Sequence, residues 1–334
     1  MPEAAIDVSN LCKRYGAFTA VNNLTFSVAK GEILGFLGPN GAGKSTTMRI
    51  LTGFLPASSG EVRVAGFSVG THPEEVKRRI GYMPENNPLP EDLRVREYLR
   101  LRGSLKGLSS AKLRARIEEV TERCDLKRVS TKLIGSLSKG FRQRVGIAEA
   151  ILAEPEIVIM DEPTIGLDPH QIVMIRDLIS SLRGKLTMLI SSHILPEIEA
   201  TCDRVLIINS GHIVASGTAE ELRRSVIDEQ VWIADISGPG EEIDSAVGAI
   251  ADLTCEDPLR NRDVSQTFRE VRFISKGGAD LGETLLRALV SRPALRIRSL
   301  APRKASLEDV FLSATRRSWE TLLPERGKSS SSKR

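Results

Sequence analysis

The sequence predicts an α/β fold with a largely parallel core sheet. Three observations predict it. Residues 32–37 and 157–160 are short apolar runs without polar alternation, the pattern of strands buried on both faces. A glycine-rich turn follows the first run, and two carboxylates follow the second. Beyond them, apolar residues at helical spacing alternate with further short apolar runs, as parallel strands joined by helices require.

The elements follow in order. The first strand, 32–37, leads through the glycine-rich turn into a helix that starts at Lys44 and continues through Met48, Ile50 and Leu51. The stretch 95–129 is rich in charged amphipathic runs, such as 112–120, and reads as a helical insertion placed at about 90–140. After the strand at 157–160, Ile172, Ile175, Ile179 and Leu182 predict a helix. A strand at 186–191, a helix at 195–200 and a strand at 204–208 come next, and a turn at 209–212 leads to a strand at 213–215. These elements make a domain expected over residues 1–225.

A small α+β domain is expected over residues 226–318. Val231, Ile233 and Ile236 suggest a strand, 243–250 a helix, and Phe268, Val271 and Phe273 a second strand. Leu281, Leu285, Leu286, Leu289 and Val290 have helical spacing, and Leu295, Ile297 and Ser299 alternate with Arg296 and Arg298. A last helix is expected from Ser306, with Asp309 completing a capping box. This domain shows no catalytic pattern. Residues 319–334 form a basic, serine-rich tail expected to be disordered.

Composition narrows the function classes. The 334 residues are 41% hydrophobic and 27% charged, as in an ordinary globular protein with a sizeable core. The formal net charge is +4, from 47 basic and 43 acidic residues, too balanced for a dedicated nucleic-acid binder. Aromatic residues are 4%, which argues against a base-stacking platform. Cys12, Cys124, Cys202 and Cys255 form no Cys-x-x-Cys pair and read as reduced thiols. The N-terminal residues do not resemble a signal peptide, and no run of roughly 18 apolar residues would span a membrane.

Gly38, Pro39, Asn40, Gly41, Ala42, Gly43, Lys44, Ser45 and Thr46 carry the pattern Gly-x-x-x-x-Gly-Lys-Ser of a P-loop NTPase. The glycines let backbone N–H groups turn toward anionic oxygens, and the following helix presents its positive end to them. ATP is the expected ligand. Lys44 is expected to reach its β- and γ-phosphates, and Ser45 to ligate Mg²⁺. Asp161 and Glu162 end the second apolar run, at the strand end where open α/β sheets hold ligands. Asp161 is expected to orient Mg²⁺, and Glu162 to polarise the attacking water as a general base. By themselves such acids also fit a solvated strand end or a helix cap. His193 follows another apolar strand end and would contact the γ-phosphate or hold the water-side geometry. A lone histidine there also fits an exposed or structural role.

These residues resemble those of the nucleotide-binding subunits of ABC transporters. The identifying piece is Leu137-Ser138-Lys139-Gly140-Phe141-Arg142-Gln143-Arg144, which looks like the family's signature motif. The order also matches: Tyr15, the phosphate loop, Glu85, the signature, Asp161-Glu162, Gly166-Leu167-Asp168 and His193. The stretches around residues 80–85 and 306–312 look most like the ABC-2 exporter branch. The resemblance implies that Tyr15 stacks on adenine and that Glu85 helps hold Mg²⁺. It implies a homodimer closing around two ATP molecules, with Ser138 and Gly140 of one copy meeting the γ-phosphate on Lys44 of the other. Asp168 would lie at the seam. It also implies a separate transmembrane permease facing residues 85–98, with the chain on the cytoplasmic side, peripheral to the inner face of the cell membrane.

Two departures stand out. The family's commonest signature has glycine and glutamine where this chain has Lys139 and Phe141, and its usual glutamine is Glu85 here. Lys139 adds a positive charge beside the partner's ATP, and Phe141 removes a polar contact. Two other functions compete with export. One is a non-transport ABC ATPase acting on ribosomes or DNA. Such translation factors usually carry two nucleotide domains in one chain, and the DNA-repair type a long coiled-coil insertion. The other is a binding and regulating chain with little hydrolysis, against which Glu162 and His193 argue. The small domain after 225 is expected to support dimer contacts or regulate the ATPase.

Overall fold

Strands buried on both faces need covering layers on both sides, and the chain supplies a second sheet on one side and helices on the other. The structure, a computed structural model, describes residues 4–226, 229–248, 250–256, 267–276, 280–303 and 306–311. The described residues divide into two compact units, one up to Ala219 and one from Glu220 onward. The expected tail at 319–334 lies outside the described residues.

The first unit opens with a long hairpin, β1 (Ala4–Tyr15) and β2 (Phe18–Ala29). It continues with β3 (Ile33–Leu37), α1 (Lys44–Leu51), β4 (Ser59–Val64), β5 (Phe67–Ser68), α2 (Pro73–Arg79) and β6 (Ile80–Met83). Helices α3 (Val95–Leu105) and α4 (Ser110–Arg123) form the expected insertion, followed by α5 (Lys139–Ile151). The rest is β7 (Ile157–Asp161), α6 (Pro169–Ser181), β8 (Thr187–Ser192), α7 (Leu195–Thr201), β9 (Arg204–Asn209) and β10 (His212–Gly217).

The central sheet has the order β10-β9-β3-β8-β7-β6. Its inner strands are parallel, and β10 pairs antiparallel with β9 at one edge. Every residue of β3, β7 and β8 is buried, which is why these strands read as unbroken apolar runs. Alternate residues serve two cores. Leu34, Phe36, Ile159 and Leu189 pack with α1 and with Ile6, Val8, Leu24 and Phe26 of the hairpin. Val158, Met160, Met188 and Ile190 pack against the helical side through Leu99, Ile117, Val145, Ile147 and Ile175.

The second sheet, β2-β1-β4-β5, is antiparallel. The apolar pattern of the sequence did not predict it. Its strand β1 is irregular, with register shifts against β2 between Val8 and Leu11 and again near Lys13. Asn10 sits at φ 50°. Such bulges break the period of two that pattern reading depends on.

Helix α8 (Ala219–Val226) begins at the division between units. The second unit then runs β11 (Glu229–Ser237), α9 (Gly240–Val247), β12 (Leu253–Glu256), β13 (Arg269–Lys276), α10 (Gly282–Val290) and β14 (Arg296–Arg303). Its antiparallel sheet has the order β12-β13-β11-β14, the split βαββαβ arrangement. Trp232, Ala234, Ile236, Val271 and Phe273 face α9 and α10 through Ile243, Leu285 and Leu289. The expected capping box forms: Asp309 N donates to Ser306 Oγ at 3.2 Å, and Ser306 N donates to Asp309 Oδ2 at 2.9 Å.

Candidate functional site

Strand register sets the site. Leu37 of β3 lies opposite Ser192 of β8, and Asp161 of β7 lies opposite Ser191. Met83 of β6 lies opposite Met160. Three strands therefore end at one level, and the residues just beyond them share one edge of the sheet. Those residues are the phosphate loop after β3, Glu162 after β7 and His193 after β8. Glu85 follows two residues after the end of β6 and is exposed. This is the carboxyl edge of a parallel sheet, where α/β folds bind ligands.

The phosphate loop needs its glycines for room as well as for rotation. Gly43, the residue before α1, has φ 104°, and a Cβ there would come within 2.5 Å of the Ala20 carbonyl oxygen. That contact seats the loop on β2. The turn before β10 adds two more links: Gly211 N donates to Ala42 O at 3.0 Å, and Asn22 N donates to Gly211 O at 2.9 Å. Tyr15 stands at the tip of the same hairpin, paired with Phe18. Both rings are largely exposed, and the Lys13 ammonium lies 5.2 Å from the Tyr15 ring centre. Ser45 and Thr46 are partly exposed at the open N-terminal turn of α1.

Lys44 is buried inside the loop. Its Nζ donates to Gly38 O at 2.8 Å and to Pro39 O at 3.3 Å, and it lies 3.3 Å from Glu162 Oε1. Glu162 Oε1 accepts no aligned hydrogen bond, so this contact is a charge pair without directional bonding. The other oxygen, Oε2, is 2.8 Å from His193 Nδ1. Glu162 holds a left-handed backbone at φ 52°, a conformation that costs a non-glycine residue about 1 kcal/mol.

Ser191 was not singled out from the sequence. Its hydroxyl donates to Asp161 Oδ1 at 2.6 Å and accepts from Glu162 N at 2.9 Å. It therefore fixes the buried Asp161 carboxylate and holds the strained Glu162 backbone at once. No local signal marks it. Only the parallel pairing of β7 and β8 brings it opposite Asp161.

The structure assembles Lys44, Asp161, Glu162 and His193 into one contiguous group around the phosphate loop. Ser138, Gly140 and Asp168 belong to a second group. Ser138 precedes α5, and its hydroxyl accepts from Phe141 N at 3.5 Å. Gly140 is pressed against α6, where a Cβ would lie 2.4 Å from Gln171 Oε1. Asp168 caps α6, its carboxylate accepting from Gln171 N at 3.0 Å. The Lys139 ammonium packs on Gly166, in the loop before that cap. Phe141 meets two cations, with the Arg144 guanidinium 4.2 Å and that of Arg128 5.9 Å from its ring centre. Among the described residues, no hydrogen bond or ion pair joins this second group to the first.

Comparison with known proteins identifies the family. The ABC transporter family model matches residues 21–165. The chain is 35% identical over 326 residues to the Nod factor export ATP-binding protein I of Paraburkholderia xenovorans (strain LB400), covering 95% of this chain and 99% of that protein. It is 32% identical over 316 residues to the linearmycin resistance ATP-binding protein LnrL of Bacillus subtilis (strain 168), covering 93% and 98%. A solved ATP-binding subunit of an ABC transporter matches with a TM-score of 0.61 and 34% identity, over 66% of this chain and 92% of that one. Both of these matches extend over the second unit as well as the first. The chain belongs to the ABC transporter family, as an ATP-binding, ATP-hydrolysing protein of the ABC-2 exporter type.

Proposed function

We propose that the chain is the energy-supplying subunit of an export system, working as a homodimer on a separate transmembrane permease at the inner face of the cell membrane. The observation that carries this reading is the separation of the site into two groups. Lys44, Asp161, Glu162 and His193 surround the phosphate loop, while Ser138 and Gly140 open a helix elsewhere on the same chain. A second copy would bring its α5 N-terminus to the phosphates held by the first, because helix N-termini attract anions. In that reading Asp168, exposed beside Gly140, lies at the seam, and Tyr15 offers its exposed ring to the adenine.

Turnover follows from the charge pair. Arriving phosphates compete with Glu162 for the Lys44 ammonium. Glu162, released from the lysine, accepts a proton from the attacking water as general base. His193 holds the Oε2 side of that carboxylate and keeps it aimed while the lysine changes partner. Ser45, Asp161 and Glu85 are the residues that would hold Mg²⁺. Their donors are a hydroxyl and carboxylates, all hard oxygens, and Ser191 fixes Asp161 for the task. Bound Mg²⁺ would supply neutralisation of phosphate charge.

A groove supports the permease. A cavity of about 1160 Å³ lies beside β6, with Phe54, Tyr82, Tyr98, Arg102, Leu105 and Lys106 on its walls. Phe54 and Leu105 are 67% and 71% exposed, so the groove presents apolar surface at both. The Phe54 and Tyr82 rings lie 5.6 Å apart. No helix among the described residues is long and apolar enough to cross a membrane, so in this reading another chain crosses it. The test is co-purification from detergent-solubilised membranes. The chain should come down with a membrane protein, and Phe54→Asp should reduce that recovery about tenfold or more, the scale of a lost apolar anchor. Recovery with ribosomes or DNA instead would favour a non-transport ATPase and refute the export reading.

A further inference from the structure

We infer that Glu197 is a positioning residue for hydrolysis, a carboxyl brace that ties the segment after Glu162 to the segment holding His193. The inference rests on the reading of Glu162 as base and His193 as its partner. Glu197 lies in the first turn of α7, five residues after Ser192. Its Oε2 accepts from the Thr164 hydroxyl in a short hydrogen bond and from the Ser192 hydroxyl at 3.5 Å. Ser192 in turn accepts from Ile194 N at 3.0 Å. Thr164 is two residues past Glu162, and Ser192 is the residue before His193.

The two catalytic segments are thus stitched by three rungs. Ser191 binds Asp161 and the Glu162 backbone, His193 binds the Glu162 carboxylate, and Glu197 binds Thr164. The first two rungs sit at the ends of the strands. Glu197 closes the far side, beyond the point where β7 and β8 still pair. Without it, the links left among the described side chains are the Ser191 bond at the very start of that turn and the Glu162–His193 contact. That contact includes the base itself, which has to change partners during turnover.

Helix capping does not explain this carboxylate. Helix α7 has no side-chain cap, and Glu197 points across to other segments rather than to backbone of its own first turn. Its Oε1 is buried without a hydrogen-bond partner, so the side chain is held in place at some cost. The other wall is apolar: Glu197 lines a cavity of about 20 Å³ with Ile172, Ile179 and Ile198, and Arg176 reaches the same space. Burial is the largest influence on the carboxyl and raises its pKa. The Thr164 hydrogen bond lowers it, the Glu162 charge raises it, and Ser192 and His193 lower it, for a net rise. A neutral amide in this position therefore resembles the acid form in shape and charge.

The test measures steady-state ATP hydrolysis and nucleotide affinity of the full chain. In Glu197→Ala, kcat should fall about 10–100-fold, the scale of a catalytic group displaced by about 1 Å, with KM for ATP within about twofold. Glu197→Gln keeps an acceptor for both hydroxyls and should hold kcat within about threefold of the parent. Thr164→Val removes one strut without removing the carboxyl and should lose kcat selectively. It also stands in if the alanine variant fails to fold. Wild-type kcat in Glu197→Ala or in Thr164→Val overturns the brace. So does a glutamine variant as slow as the alanine one, since the charge would then matter and not the strut. Glu162→Gln run beside them separates the two readings. Wild-type turnover there overturns the assignment of the base, whereas a dead Glu162→Gln beside an unimpaired Glu197→Ala overturns the brace alone.

Discussion

Replacing Glu162 by glutamine should slow hydrolysis and tighten ATP binding in the same variant. The structure gives the reason for the second effect. Lys44 Nζ and Glu162 Oε1 are 3.3 Å apart, with side chains 6% and 5% exposed. At an effective dielectric of ~20, charges at that distance attract by about 5 kcal/mol. Most of this is offset by the cost of keeping two ions out of water. The absence of an aligned hydrogen bond at Oε1 lowers the net value further. A net contribution of about 1–2 kcal/mol remains for ATP to overcome when its phosphates take the lysine.

Glutamine keeps the shape and the contact with His193 but removes the competing anion. Lys44 then keeps the Gly38 and Pro39 carbonyls and loses the opposing charge. The dissociation constant for ATP should fall about 5–30-fold, the equivalent of 1–2 kcal/mol. Loss of a general base should lower kcat by about 10²–10⁴-fold. Titration with a fluorescent ATP analogue reads the first effect, and phosphate release under saturating ATP reads the second. Size-exclusion chromatography with ATP should show a longer-lived dimer. Unchanged kcat would refute Glu162 as the base. Slower turnover with unchanged or weaker ATP affinity would refute the competition between Glu162 and phosphate for Lys44.

Two further outcomes follow from the same geometry. Ser191→Ala strips the buried Asp161 carboxylate of its hydroxyl donor and leaves Glu162 N without an acceptor. It should lower stability by about 1–3 kcal/mol in denaturant titrations and raise the Mg²⁺ concentration needed for half-maximal activity. Glu197 has a folded-state pKa raised above the ordinary 4.5, chiefly by burial. Its contribution to stability is thus fully present below about pH 4.5 and is lost as pH rises through the higher folded value. Glu197→Gln, which cannot ionise, should gain stability relative to the parent across that window, as read from urea midpoints at successive pH values. A difference that stays flat with pH would contradict the raised pKa.

Legibility in the sequence tracked how local the physical cause was. The strands at β3 and β7 were visible because burial on both faces favours unbroken apolar runs, five residues in β3 and the first four of β7 before Asp161. The phosphate loop was visible because anion binding by backbone needs glycine at fixed spacings from a lysine. The capping box at Ser306 and Asp309 was visible because both partners lie within one turn. The antiparallel sheet was not read from the sequence, although half of its pattern was there. Leu24, Phe26 and Val28 alternate cleanly in β2, but in β1 the bulge after Val8 shifts Leu11 out of phase with Ile6 and Val8.

Ser191 and Glu197 were illegible for a different reason. Their partners lie 30 and 33 residues away, and a serine at a strand end or a glutamate in a first turn is unremarkable by itself. Both became meaningful only when β7 and β8 paired in register and set Asp161 against Ser191. The same pairing explains how Glu162, the proposed base, can hold a strained backbone. A left-handed backbone at the end of a strand would relax if it were free. Here its N–H is held by Ser191, its carboxylate lies between Lys44 and His193, and the turn that follows is held through Thr164. The sheet thus holds the strain at the one side chain that, in the proposed mechanism, exchanges a lysine for a water. The motif residues name the chemistry, while the residues between the motifs hold the geometry in which that exchange can occur.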